Sequence, residues 1–318
     1  MEWLAFVIPA ILLWSATGLL YKAGVCEEKY VCLKFSICVG IVFFIIAFAY
    51  LLIRNEKFTI WESAVRYWPM TAFGIVYAIV NTISYNGYVY NEMSVESPLE
   101  GIGSGVSTLF LMVTYLLLNR VDSVMKLLTP LRTMGIAVIV ISILLLSAVR
   151  NKENRNDPKY QKAAWMRRGL GTLIFPIIFS MADALETITT GICLDNTYGS
   201  SMPEGDSVII VGMEYALFAF CFWIYVSFKE KKVYNPFTKK NLPRILGSVT
   251  DNVGVVFYSY AMAINSISTD PLLALYPILG MIGGRIFMKE KISKTQYILL
   301  SCTIIGSIMV VVGTVLFL

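Results

Sequence analysis

Along its 318 residues the chain alternates long apolar runs with short polar gaps. The runs fall at roughly 3–21, 33–53, 68–89, 97–118, 129–149, 170–193, 207–228, 245–264, 269–288 and 295–317. Each comes close to the ~20 apolar residues that a helix needs to cross about 30 Å of hydrocarbon. They are continuously apolar rather than alternating, and longer than a barrel strand, so helices are expected and strands are not. The pattern predicts an all-α integral membrane protein with ten transmembrane helices.

The hydrophilic stretch 151–168 splits the chain into residues 1–150 and 169–318, with five runs in each part. Five is odd, so two related parts lie inverted in the membrane. Inverted repeats place a solute site near the midplane, at their interface. There is a trace of repetition. Ser97-Pro98-Leu99 opens the fourth run and Asp270-Pro271-Leu272 the ninth; Gly101-x-x-x-Gly105 and Gly280-x-x-x-Gly284 lie in the same two runs. Small residues four apart let helices approach closely.

Composition supports this reading. The chain is 57% hydrophobic and 15% charged, with a mean hydropathy of +0.69; a soluble domain carries about 25% charged residues. The first run opens Met1-Glu2 and reaches Lys22 without a cleavage pattern, so it reads as a span rather than a leader. The net charge of +5 comes from Lys and Arg in the gaps. Nineteen of them follow the odd-numbered runs, chiefly in 150–168 and 229–244, and five follow the even-numbered ones. The positive-inside rule puts the larger set in the cytoplasm and both termini outside. No nucleic-acid partner is called for; the lipid bilayer accounts for the basic balance. No N-x-S/T sequon occurs, in keeping with a bacterial cytoplasmic membrane.

The chain has no His, which removes His triads and His metal ligands. Its six Cys include no C-x-x-C pair, so neither a zinc site nor a disulfide framework is indicated. There is no phosphate-binding loop and no visible nucleophile–base constellation. An enzyme is not expected, nor a cofactor or a metal.

Several local patterns resemble the drug/metabolite transporter superfamily, specifically its EamA-type members. Trp14 is followed eight residues later by Lys22, and the second run opens Lys34-Phe35. Tyr258, Ala261-Met262 and Ser266-Ile267-Ser268 form an aromatic–Ala–small-residue sequence, and the ninth run holds Pro277 and ends Lys289-Glu290-Lys291-Ile292-Ser293. Val106 and Asn119 stand where Pro and Glu are typical. The resemblance implies two inverted five-helix repeats around a central cavity, and implies no fixed set of functional residues.

Ionisable side chains within a span are costly and usually mark a pathway. Asp183 and Glu186 sit mid-run, Glu214 and Asp251 about two turns in, and Glu100 one turn in, with Glu96 and Asp270 at helix edges. Asp183 and Glu186 are three apart, and Glu96 and Glu100 four apart, so each pair shares a helix face. Two like charges this close do not readily both stay ionised; a proton or a cation must neutralise one. For Glu96 and Asp270 the plainer reading is a cap, and for Lys22 and Arg285 snorkelling to the interface; Arg132 is likewise near a run end. Asn81, Asn86 and Asn252 are amides needing partners. Trp14, Tyr85, Tyr88, Tyr258, Tyr260 and Tyr276 could line a cavity, since aromatic faces attract alkylated cations, although aromatics also pack helices and form interfacial belts. The expectation is a secondary transporter of a small cationic or amine-bearing metabolite, with protons as coupling ion. The alternative is a neutral or zwitterionic, amino-acid-like solute with the acids structural or proton-coupling. A receptor or scaffold is the remote third.

Overall fold

The computed structural model describes residues 2–26, 28–54, 60–90, 102–121, 129–155, 171–289 and 292–315. Among them the chain is all-helical, with no strand. The helices are α1 (Glu2–Ala23), α2 (Val31–Arg54), α3 (Ile60–Arg66), α4 (Trp68–Tyr90), α5 (Ile102–Leu117), α6 (Pro130–Arg155), α7 (Gly171–Leu194), α8 (Glu204–Glu230), α9 (Leu242–Leu273), α10 (Leu275–Phe287) and α11 (Lys294–Val315). Proline stands at or beside the start of four of them: Pro69, Pro130, Pro203 and Pro243. Its missing N–H costs nothing there, because the first N–H groups of a helix have no partner in any case. Three helix ends carry a left-handed residue just beyond them, Asn119, Lys231 and Lys289, with φ of 53–57°. Asn is among the few side chains that tolerate this conformation.

Among the described residues three helices are long and apolar enough to cross a membrane: α1, α2 over Val31–Ile53, and α8. Counting α9 and α10 as one bent span gives a fourth, and Pro130–Leu146 and Lys294–Val310 are shorter apolar stretches. Some of the others are less apolar because they carry polar side chains. α4, for example, holds Asn81, Thr82, Ser84, Asn86 and four tyrosines.

Element ends differ from the sequence pattern in instructive ways. α6 runs on to Arg155, into the stretch read as a connecting loop. Lys, Glu and Arg are good helix formers, and basic residues at a C-terminus complement the helix dipole. Residues 156–170 lie outside the described residues. The ninth run breaks at Ala274, between α9 and α10. Pro277 has no N–H to give the carbonyl four residues back, at Leu273, so the helix is interrupted one turn before it.

α9 is two helical stretches joined at Asn265, whose φ of −159° and ψ of 84° leave the helical region. The Thr269 hydroxyl donates to the Ala261 carbonyl at 3.1 Å. In a continuous helix those residues would be about 12 Å apart, so the chain folds back here. Asn265 Oδ1 accepts the Ser268 N–H at 3.1 Å and caps the second stretch. Asp195, at the end of α7, holds this turn by accepting the Ser266 N–H at 3.0 Å and the N–H groups of Thr197 and Tyr198 at 2.8 Å. Asp270 is not the exposed cap its place in the sequence suggests. It is 1% exposed and accepts the hydroxyls of Ser107 and Thr108 from α5. The fold-back at Asn265 buries it against that neighbour.

Helix pairing has a regular form. α1 packs on α9 and α10; α7 packs on α4 and α5; α2 packs on α8, and α6 on α11. Exchanging α1 with α7, α9 with α4, α10 with α5, α2 with α8 and α6 with α11 leaves this set of pairs unchanged. The α6–α11 contact is close because Gly135 and Gly306 face each other, where an added Cβ would meet backbone at 2.7 and 2.9 Å.

One charged cluster joins the α1–α2 connection to α2, α8 and α9. Arg244 is fully buried. Its guanidinium lies 2.5 Å from Glu28, donates to the Gly24 carbonyl at 2.9 Å and stacks over Phe35 at 4.5 Å. Glu28 also meets Lys240 at 3.1 Å and Lys34 at 3.3 Å, and Lys34 reaches Glu230 at 2.7 Å. Burial alone would raise the Glu28 carboxyl. The Arg244 bond and charge, helped by Lys240 and Lys34, outweigh it and hold the group below the ordinary glutamate range. Its stabilising contribution is therefore full above that range and fades as pH falls through the lowered value. Arg244→Met should lower stability by about 1.5–3 kcal/mol, because it removes the buried guanidinium's charge-assisted bond to half-buried Glu28, which keeps only Lys240 and Lys34. Adding Glu28→Gln should recover part of the loss. Thermal unfolding in detergent checks this; a double variant as unstable as the two single losses combined would contradict the pairing.

Candidate functional site

Seven helices line one cavity of about 120 Å³; five of them contribute a stripe of residues three or four apart, which is one helix face, and α2 adds Phe43. α1 supplies Trp14, Gly18 and Tyr21. α4 supplies Gly74, Tyr77, Asn81, Ser84 and Tyr88, with Tyr85 beside them. α7 supplies Phe179, Asp183, Glu186 and Thr190; α8 supplies Ser207, Val211 and Glu214; α9 supplies Asp251, Val255 and Tyr258. Tyr276 and Gly280 of α10 complete the wall.

Asp183, Glu186, Glu214, Asp251, Asn81, Trp14, Tyr85, Tyr88, Tyr258 and Tyr276, all singled out in the sequence, are brought together here. Glu100 and Glu96 lie outside the described residues. Tyr260 is not among the lining residues: its hydroxyl pairs with Tyr50 at 2.7 Å and its ring stacks on Phe6. Asn252 is buried without lining the cavity. Lys22 donates to the Tyr88 carbonyl at 2.7 Å, at the end of α1, and Arg285 is exposed.

Four carboxyls share the wall, and no Lys or Arg lines it among the described residues. Asp183 accepts the Tyr77 hydroxyl at 3.4 Å. Glu186 accepts the Thr190 hydroxyl, from its own helix, at 2.7 Å. Asp251 accepts the Tyr21 hydroxyl at 2.9 Å, and Trp14 Nε1 donates to the Asp251 backbone carbonyl at 3.1 Å. Glu214 is 7% exposed, and neither carboxyl oxygen has a hydrogen-bond partner among the described residues. It lies against Gly74, where an added Cβ would come within 2.2 Å of it. Gly254 makes similar room for the Trp14 indole, which would meet a Cβ at 2.6 Å. The Trp14 ring packs on Tyr258 and Tyr276, with centroids 5.2 and 5.8 Å away. Asn81 donates to the Tyr215 hydroxyl at 2.8 Å.

The sequence reading passed over Tyr21, Tyr77 and Tyr215, the hydroxyl partners of these groups. Their signal was helical spacing. Tyr21 is seven residues after Trp14, and Tyr77 is four before Asn81, so each shares a face with a residue already singled out.

No family model matches the chain, and no curated protein matches it. Among solved structures 28 chains match. One, described only as the crystal structure of a protein, is 13% identical with a TM-score of 0.61, and the match covers 98% of each chain. That is a likeness of fold.

An accessible cavity walled by acids and no base should admit cations in preference to anions. With the six native cysteines replaced and Val211→Cys introduced, a cationic methanethiosulfonate reagent should label at least about tenfold faster than an anionic one, after correction for intrinsic reactivity. Equal rates would contradict this electrostatic picture.

Proposed function

We propose that this chain is a secondary transporter of small cationic or amine-bearing solutes, of the drug/metabolite transporter type. In this reading it crosses a bacterial cytoplasmic membrane ten times, as two inverted five-helix repeats with both termini outside. The carrying observation is the cavity itself: four carboxyls and an aromatic wall, with no basic residue lining it among the described residues.

Two further observations support the repeat and membrane readings. The principal helix pairs map onto themselves when each helix of the first half is exchanged with its counterpart in the second, as a pseudo-two-fold axis would have it. The cavity lies between the halves, with α1, α2 and α4 from one and α7, α8, α9 and α10 from the other. Exposed Leu12, Ile45, Phe48, Leu52, Ile141, Leu217, Phe220 and Ile305 turn outward, the distribution that a lipid environment favours.

In mechanism, a cation enters the cavity, is held by carboxylates and aromatic faces, and neutralises buried charge that is otherwise costly. Rocking of one half against the other then exposes it on the opposite side. The Glu28–Arg244 cluster lies one layer beyond the cavity, because Phe35, under the Arg244 guanidinium, also stacks on the cavity residue Tyr85 at 5.5 Å. Its breaking and re-forming would gate that end.

The test is ligand-dependent thermal stability of the purified chain, since a ligand that binds the folded state raises it by mass action. Primary amines should stabilise the protein, whereas glucose and succinate should not. Asp183→Asn combined with Glu186→Gln should weaken the amine effect by about tenfold or more, the scale of a lost charge-assisted contact. Stabilisation by zwitterionic amino acids and not by amines would replace this reading with that of an amino-acid-like solute.

A further inference from the structure

The carboxyls of the cavity are not one cluster. Asp183, Glu186 and Glu214 hang from α7 and α8, and Glu186 stands within electrostatic reach of both others. Asp251 hangs from α9 and is tied to α1 through Tyr21 and Trp14. An aromatic path joins the two groups. Trp14 sits beside Asp251 and packs on Tyr258. The Tyr258 hydroxyl reaches Thr187, the residue next to Glu186, at 3.4 Å.

We infer that the cavity takes a ligand with two cationic centres, an α,ω-diamine, with one ammonium at Asp183, Glu186 and Glu214 and the other at Asp251. This rests on the reading of the cavity as a cation site and names the class of cation.

Three features carry it. Glu214 is a carboxyl more than nine-tenths buried, facing the cavity, with two oxygens that accept nothing from the described residues. An ammonium has three donors and no acceptor, which is what such a group lacks. Asp251 meets only neutral donors, the Tyr21 hydroxyl at 2.9 Å on Oδ2 and the Trp14 indole beside it, and no Lys or Arg lines the cavity among the described residues. A methylene chain laid along Trp14 and Tyr258 is covered by apolar ring surface, where water would be poorly held. A monoamine satisfies only one of the two acidic groups.

The experiment compares 1,5-diaminopentane with pentylamine, which has the same carbon chain, by isothermal titration calorimetry on the full chain in detergent. The series is extended to diamines of three to ten carbons. The expected result is at least about tenfold tighter binding of a diamine than of the matching monoamine, with an optimum in spacer length. In Asp251→Asn the diamine should lose at least about tenfold in affinity, and its preference over pentylamine should collapse. Equal affinity for diamine and monoamine overturns the inference and leaves the cation-site reading standing. So does affinity that only rises with carbon number in both series, or a diamine preference that survives in Asp251→Asn. If no amine binds while a zwitterion does, both fall. Should Asp251→Asn fail to fold, the wild-type comparison and the length profile decide alone.

Discussion

Ionised carboxylates inside an apolar helical body are tolerated where a positive charge or water reaches them, and are otherwise costly enough to be lost. The chain meets this constraint in two different ways. At one end Glu28 is given a fully buried Arg244 and two lysines, so its charge is satisfied within the protein. In the cavity Asp183, Glu186, Glu214 and Asp251 receive hydroxyl partners at most, and no basic side chain lines the wall among the described residues. The first arrangement is self-contained. The second leaves neutralisation to a proton, water or a bound cation, and the proposed cation site rests on that difference.

The helices are arranged to keep the second case open. Gly74 and Gly254 face Glu214 and Trp14, where any larger residue would fill the space these side chains occupy. The chain folds back at Asn265, held by Asp195 on α7 and by Asp270 against α5. That turn brings Tyr276 of α10 onto the same wall as Asp251 and Tyr258 of α9. The fold-back therefore belongs to the construction of the cavity as well as to the path of the chain.

Much of this was legible in the sequence. Long apolar runs marked the helices, because a lipid-facing or deeply packed helix must be apolar on most sides. Deep acids marked the cavity wall, because a carboxyl in such a run has few other uses. Asp270 was misread, since proximity to a run end looks like exposure until the neighbouring helix is in place; Ser107 and Thr108, which bury it, are 163 and 162 residues away. The Arg244–Glu28 pair was missed for the same reason, because pairing between remote segments leaves no local trace. The break before Pro277 was legible in principle, but its position depends on which carbonyl loses its donor. The tyrosine partners were present as helical spacing, hidden among tyrosines that pack elsewhere, such as Tyr260.

The account turns on whether the acidic cavity carries cations across a bilayer. The direct measurement is counterflow: liposomes containing the full chain are loaded with unlabelled amine and diluted into a trace of the same labelled amine. This readout does not depend on the coupling ion. The account predicts transient accumulation of label by the wild-type protein, and loss of it in a folded variant carrying Asp183→Asn, Glu186→Gln and Glu214→Gln. No amine counterflow by the wild-type protein, or undiminished counterflow by that variant, would contradict it.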